Sequence, residues 1–309
     1  MTPYQGSVAR RVAPAPRALR VPHVVAIVLN WCGEEDTAAC LESLDRSDYP
    51  GLEVLLVDNG SPDGSGDRLR ARFPDVPYHQ TGKNLGYTGG NNRGIDLALA
   101  RGADYVLILN NDTVVEPECV SRLVEAAETS PGVGAVAPKI LVHDAPERIW
   151  FAGGEFSRMR AIGYHRLEGQ PDPDPAGGEM EDVSFLTGCC LLVPAGVFRA
   201  VGKFEEDFFA YVEDVEYSLR LASAGYRLVY QPGARLLHRV PVGPSDPSAF
   251  QIVQRDRNRR RLARRRYGPV DRFRFSLFFY PSRIVRAAQY LARGNTTLAR
   301  AIWRGMTLP

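Results

Sequence analysis

The sequence predicts an α/β protein built on a doubly wound, mostly parallel sheet flanked by helices, followed by a basic helical extension. Three observations carry this. Apolar runs alternate with helically spaced stretches over roughly the first hundred residues, the order expected of βαβ units. The runs are continuous rather than alternating, as strands covered on both faces must be. Two of them stop abruptly on polar groups: Leu52-Glu-Val-Leu-Leu-Val-Asp58 on a carboxylate, and Tyr105-Val-Leu-Ile-Leu-Asn-Asn-Asp112 on two amides and a carboxylate. In open α/β sheets, ligands bind just outside the carboxyl ends of the strands.

Taken in order, 23–30 reads as the first strand and 34–44 as a helix with Ala38, Leu41 and Leu44 on one face. The second strand, 52–58, runs into the turn Asn59-Gly-Ser-Pro-Asp-Gly64. A helix over 65–73, a short strand over 76–79, a glycine and amide loop over 83–92, a helix over 92–101 and the strand 105–109 follow. Beyond these, 116–129 is helical, 133–138 a strand, and 144–182 a hairpin with a mobile loop. A strand over 183–193 is interrupted by Thr187-Gly188. Helices over 194–201 and 214–224 come next, the second ended by Gly225. Short strands follow over 227–230 and 234–238. In the tail, 255–267 is an Arg-dense helix, and Pro281 separates an aromatic stretch, 273–280, from a helical one, 282–293.

The 44% hydrophobic content is that of a globular chain with a real core. The formal net charge of +2 hides an asymmetry: +4 over 1–20 and +13 over 255–309, which has 15 Arg and two Asp, leaving −15 over 21–254. Such a tail suits an anionic surface. Five cysteines without a C-x-x-C spacing argue against a disulfide framework or zinc site and fit a reducing cytoplasm. All five are expected as small buried apolar residues. No apolar run reaches the roughly 18 residues of a membrane span. Residues 1–20 lack the apolar core of a signal peptide and read as a disordered arm.

The polar groups at the strand ends are the candidate chemistry. Asp58 could accept the imide N–H of uracil or thymine, or simply cap the Asp58-Asn59-Gly60 turn. Asn110, Asn111 and Asp112 are placed for ribose, pyrophosphate and a hard cation. One aspartate is a poor cation site unless a diphosphate supplies most of the oxygens. The loop carrying Asn84, Gly86 and Asn91 could meet base and diphosphate through backbone N–H groups. It is not a Walker loop. Glu213-Asp214 opens a helix, so it is either an N-terminal acid pair favoured by the dipole or a general base raised by its neighbours. His238 ends a strand, as a structural residue or a cation ligand.

These motifs, in order, resemble glycosyltransferase family 2, and most closely its rhamnosyltransferase-like branch. The carriers are Val28-Leu-Asn30-Trp-Cys-Gly33, Val57-Asp-Asn59-Gly-Ser-Pro-Asp-Gly64, Asn84-Leu-Gly-Tyr-Thr-Gly-Gly-Asn91-Asn-Arg-Gly94, Leu109-Asn-Asn-Asp-Thr113, Thr187-Gly188, the stretch from Gly202 to Asp214, and His238. The resemblance spans about 23–268. It implies a GT-A fold with a Rossmann-like sheet, a nucleotide-binding half over 21–115, an acceptor-binding half over 116–254 and an extension over 255–309. It implies inverting transfer from a dTDP- or UDP-sugar, with L-rhamnose favoured, to a glycan, lipid-linked or small-molecule acceptor. Asp58 would bind the pyrimidine, with Asn30 and Asn59 beside it. Asp112 would hold Mg or Mn through the diphosphate, with His238 as partner. Asp214 would be the base, with Glu213 next to it. Asn110 stands where the general Asp-x-Asp motif has its first Asp, and Cys32 stands for a usual Asn.

Two rival functions make different demands on the chain. A sugar nucleotidyltransferase needs a basic glycine-rich loop after the first strand, where Asn30-Trp-Cys-Gly-Glu-Glu35 is acidic. A non-catalytic nucleotide- or carbohydrate-binding module has no need of Asp112 or of Glu213-Asp214. For the tail, nucleic acid is not expected, because the acidic body repels a polyanion. Homodimer contacts, or peripheral membrane contact through 255–293 with Phe273, Phe275, Phe278 and Phe279 entering the interface, are the remaining readings. The location expected is cytoplasmic, at the inner face of the membrane if the second reading holds.

Overall fold

Four apolar runs form the strands expected of them. β1 (Val24–Asn30), β2 (Leu52–Asp58), β3 (Tyr78–Gln80) and β4 (Tyr105–Asn110) lie side by side in the order β3-β2-β1-β4, all parallel, in a computed structural model that describes residues 20–240 and 246–309. Parallel strands finish along one edge. Asn30 is therefore level with Asp58, and Leu29 with Asn110. The crossovers are α1 (Glu34–Asp45), α2 (Ser65–Arg72) and α3 (Gly86–Ala100). The arm expected at 1–20 lies outside the described residues apart from Arg20, as does 241–245.

α3 starts six residues before the sequence suggested. The glycines that read as a loop are close-approach positions: a Cβ on Gly90 would meet Leu29 at 2.6 Å, and one on Gly94 would meet Ile27 at 2.5 Å. Tight packing on β1 outweighs the poor helix propensity of glycine.

Past β4 the sheet becomes mixed. β5 (Thr113–Val115) leads to α4 (Cys119–Thr129) and to β6 (Val133–Val142), buried along its whole length. β7 (Ala145–Phe151) turns back antiparallel on β6, and β8 (Gly154–Ser157) with β9 (Ile162–His165) forms a separate hairpin. After β10 (Glu181–Asp182), β11 (Cys190–Pro194) inserts antiparallel between β4 and β6. Residues 183–189, expected as strand, are irregular, with Phe185 bridging Gly154. α5 (Ala195–Val201) and α6 (Glu213–Ser223) follow. β12 (Arg227–His238) is one strand where two were expected. Its register slips between Gln231 and Arg235, opposite Pro138 of β6. Proline cannot donate to a ladder, so a bulge facing it is the arrangement that leaves no donor missing.

The extension is three helices: α7 (Ala249–Arg266), α8 (Pro269–Ala292) and α9 (Thr296–Thr307). α8 runs unbroken through Pro281, which the sequence marks as a separator. Phe275, Phe279 and Tyr290 are its buried anchors, and it packs on the amphipathic α9. Phe275 and Phe279 stack at 5.0 Å inside this layer. They are therefore not available to enter a membrane interface, which corrects that expectation. Cys32 is the other correction. It is exposed and has a φ of 56°, whereas the remaining four cysteines are buried. Burial pushes the Cys40 and Cys119 thiols up to about 12.

The region 144–182 holds more order than a hairpin with a mobile loop. Lys139 of β6 is buried and donates to both oxygens of Asp172 at 3.0 Å and to the Asp174 carbonyl at 2.5 Å. A buried ammonium left without its carboxylate is strongly destabilising. Asp172→Ala should lower unfolding stability by about 3–5 kcal/mol in urea titration, and the paired apolar change Lys139→Met with Asp172→Leu by much less.

Candidate active site

The edge where β1 and β2 end is locked by amides and hydroxyls. Asn30 is fully buried and donates to Asp58 Oδ1 at 2.8 Å, while accepting from the Thr37 hydroxyl at 3.0 Å. Asp58 also accepts from the Ser61 hydroxyl at 2.6 Å and the Ser61 N–H at 3.1 Å. The capping geometry is thus present, and both oxygens of Asp58 are engaged within the protein. Neither Asn30 nor Asp58 lines the large cavity beyond this edge, and neither does Asn91, whose amide donates to the Tyr87 carbonyl at 2.9 Å.

The cavity has a volume of about 1720 Å³. On one side it is lined by Asn59, Asn84 and Gly86. Asn59 donates to Asn84 Oδ1 at 3.2 Å and to the Gly86 carbonyl at 3.0 Å, so the amide loop and the β2 turn are one unit. Gly86 has a φ of 74°, and a Cβ there would lie 2.5 Å from the Phe209 carbonyl oxygen. Asn110, Asn111 and Asp112 form the floor after β4. Asn111 donates to the Thr37 hydroxyl at 2.8 Å.

Asp112 and His238 meet because β5 and β12 pair with Thr113 opposite His238. Asp112 Oδ1 is 3.1 Å from His238 Nε2. The imidazole is nearly buried, stands edge-on to the Trp150 ring at 4.4 Å, and leaves its Nδ1 without a partner. Among the described residues no three His, Cys, Asp or Glu side chains cluster to hold a metal. The pair therefore fits a hard cation only when a ligand brings further oxygens.

Glu213 and Asp214, at the start of α6, also line the cavity. Burial pushes Glu213 well above the ordinary carboxylate range, and the neighbouring Asp214 adds to it. Burial also raises Asp214, opposed by N–H donation from Gly188 at 3.2 Å and Val215 at 2.8 Å and by the Arg255 charge. The two share one environment and titrate together, upwards. A Glu213 oxygen is buried without a partner.

The loop before this pair is strained. Phe209, Tyr211 and Val212 have φ of 60°, 70° and 72°. Left-handed backbone at a β-branched residue persists only where surroundings impose it. The imposing group is Asn258 of α7, fully buried, whose Nδ2 donates to the carbonyls of Phe208 at 2.7 Å, Ala210 at 2.9 Å and Tyr211 at 2.8 Å. Ion pairs clamp the same seam: Arg265 with Glu205 at 2.5 Å, and Arg266 with the buried Glu216.

Sequence reasoning missed Trp31, Tyr87, Trp150, Tyr211, Phe250 and Arg255, all of which line the cavity. It also missed Asn258. One signal existed: Asn258 is the lone neutral amide in Arg255-Asp-Arg-Asn-Arg-Arg-Arg261. Trp31, Tyr87 and Tyr211 lie inside the quoted motifs, whereas no local pattern marks Trp150, Phe250 or Arg255.

An α/β sheet with an amide- and acid-lined cavity at its carboxyl edge is the architecture of the GT-A fold. Solved structures share it: GalNAc-T7 with UDP, GalNAc and Mn2+ aligns over 92% of this chain with a TM-score of 0.64 and 13% identity, although the chain spans only 55% of that structure. The mannosyltransferase PcManGT from Pyrobaculum calidifontis, in complex with GDP-Man and Mn2+, aligns over 94% of this chain and 88% of its own length, with a TM-score of 0.55 and 17% identity. The family model "Glycosyl transferase family 2" matches residues 24–202, and the chain belongs to that family; it is a glycosyltransferase. It is 32% identical over 223 residues to the N-acetylglucosaminyl-diphospho-decaprenol L-rhamnosyltransferase of Mycobacterium tuberculosis, covering 64% of this chain and 70% of that one. It is 27% identical to the low-salt glycan biosynthesis hexosyltransferase Agl10 of Haloferax volcanii, over 75% of this chain and 73% of that one.

Asn258→Asp turns an acceptor towards three carbonyls and should cost about 1–3 kcal/mol in denaturant unfolding. Its transferase kcat should fall by more than its donor affinity, because the strained loop carries the acid pair.

Proposed function

We propose that this glycosyltransferase moves a hexose, with L-rhamnose favoured, from a dTDP- or UDP-sugar to an acceptor hydroxyl with inversion. The observation that carries this is one cavity lined by two acidic stations, Asp112 with His238 and Glu213-Asp214. The mycobacterial relative supports rhamnose as the sugar and a lipid-diphosphate sugar as acceptor. The Mn2+ in both solved relatives supports a divalent cation, Mg or Mn. Held by Asp112, His238 and the donor diphosphate, it would neutralise charge developing on the leaving group.

The chain's own groups do the rest. Asn59, Asn84, Asn110 and Asn111 bind and orient the nucleotide. Asp58 and Asn30 hold the turn that presents Asn59. Asp214 takes the proton of the acceptor hydroxyl as its oxygen attacks the anomeric carbon opposite the diphosphate. Asp214 accepts from the Gly188 and Val215 N–H groups, which favours its ionised form, whereas a buried Glu213 oxygen has no donor beside it. No separate acid is needed, because the leaving group is a diphosphate. A pure binding module would gain nothing from burying two adjacent carboxyls.

Asp214→Asn should lower kcat by about 10²–10⁴ while leaving the donor-nucleotide Kd within a few-fold. In a panel of UDP- and dTDP-sugars with Mn, Mg or EDTA, Asp112→Ala should lose the metal-linked part of nucleotide binding. The base must be ionised and its proton affinity is raised, so the acid limb of kcat/KM should lie above the ordinary aspartate value of about 4. A limb at or below that value, or full transfer by Asp214→Asn, rejects Asp214 as base.

The acceptor's membrane anchor has a matching surface. Val270, Phe273, Leu277, Tyr280, Ile284 and Leu291 recur at helical spacing along α8 and are 40–67% exposed. Arg272 and Arg274 lie on the same helix and Arg293 at its end, with Asp271 its one acid. Self-pairing would oppose like charges, whereas an anionic lipid surface satisfies both the apolar stripe and the arginines. No described helix is long and apolar enough to cross a membrane, so α8 would lie in the plane of the surface. Its Tyr290 donates to Asp246 at 3.2 Å, next to Pro247 of the cavity wall. Phe273→Glu with Leu277→Glu should abolish sedimentation with phosphatidylglycerol vesicles. Equal sedimentation of wild type and variant, or a dimer by ultracentrifugation that the variant dissolves, rejects the lipid reading.

A further inference from the structure

The cavity wall that α7 completes differs from the rest. Phe209, Tyr211 and Phe250 make an aromatic face there, with Phe250 6.2 Å from Phe209 and 6.3 Å from Tyr211 between ring centroids. Phe250 is half exposed. Such a face suits the apolar side of a sugar ring. Over it lies Arg255, its guanidinium carbon 5.2 Å from the Tyr211 centroid.

The other two arginines of the cavity are already engaged. Arg239 pairs with Asp36 at 2.6 Å, and Arg148 donates to the Gly169 carbonyl at 3.0 Å with Glu147 at 3.6 Å. Arg255 has neither a carboxylate nor a hydrogen-bond acceptor among the described residues. Arg255 is exposed, and it lines the same cavity as Asp214, Glu168 and His165. The Asp112–His238 station, by contrast, is at the ends of β5 and β12.

A cation beside a general base lowers that base's proton affinity and works against it. Its place is explained when a ligand brings the missing anion. We infer that Arg255 is an anion subsite for the acceptor: it binds a phosphate or diphosphate carried by the sugar whose hydroxyl faces Asp214, while that sugar stacks on Phe250 and Tyr211. The planar guanidinium suits paired phosphate oxygens. When it is so neutralised, its drag on the proton affinity of Asp214 is relieved, so an anionic acceptor also leaves its own base stronger. The inference rests on the reading of Asp214 as the base. The shared chemistry, a phosphate oxygen on Arg255, could also come from the donor, and the experiment separates the two.

Calorimetric binding of octyl N-acetylglucosaminyl diphosphate and of the uncharged octyl N-acetylglucosaminide would be compared for wild type, Arg255→Lys and Arg255→Ala, with dTDP and Mn titrated separately. Wild type should prefer the diphosphate by roughly ten- to hundredfold, as one charge-assisted contact allows. Arg255→Ala should shrink that preference to about threefold or less, Arg255→Lys should retain part of it, and dTDP affinity should stay within about twofold. The inference is overturned if wild type shows no preference or if Arg255→Ala keeps it. It is overturned equally if dTDP affinity falls in step, which would assign Arg255 to the donor. Nucleotide release from dTDP- and UDP-sugars, measured in parallel, tests the transfer reaction itself. Its failure would remove the proposed function while the binding comparison still decides the subsite.

Discussion

Parallel pairing of β2, β1 and β4 is the constraint on which the site is built. It makes three apolar strands end together, so that polar residues at their termini become neighbours although they lie far apart in the chain. A slip of one residue would turn each side chain to the opposite face. Asn30 guards against this: its amide is satisfied only when Asp58 is level with it and Thr37 lies above it. The cavity floor at Asn110 and Asn111 then follows from the length of β4.

The second acidic station is made differently. No strand end positions Glu213 and Asp214; a loop with three left-handed residues does. Its backbone carbonyls converge on a single buried amide, and the α3 start, where only glycine fits, presses on it from the other side. Strain of this kind at a loop beside an acid pair is stored by packing elsewhere. Here the packing comes from the arginine-rich helix, whose Arg265 and Arg266 pair with Glu205, Asp207 and Glu216 and whose Arg259 pairs with Asp256. Part of the tail's basic character is therefore structural.

The first half of the fold was legible because each strand is a continuous apolar run closed by a polar residue, a signal held within seven or so residues. Asp112 stood out for the same reason, whereas Glu213-Asp214 stood out as adjacent acids opening a helix. What failed was non-local. The glycines of α3 look like a loop until β1 is placed against them. The join of 227–230 with 234–238 needs Pro138 of another strand to explain it. Phe275 and Phe279 read as exposed because the groups packed on them, Tyr267 and Arg259, come from the Arg-dense segment before α8. Asp58 carried two readings that no local pattern separates. Arg255 and Asn258 belong to a helix whose composition speaks of surface, and only its docking turns two of its side chains towards the loop.

That docking has a consequence for the order in which the molecule comes into being. Asn258 follows Tyr211 by 47 residues. During synthesis, N-terminal parts of a chain fold first, so the sheet and the nucleotide edge are complete while the loop ahead of Glu213 still lacks its brace. The cavity edge carrying Asn59, Asn84 and Asn110 is thus in place before the acid pair is braced, so the two parts of one cavity are finished by segments that leave the ribosome in a fixed order.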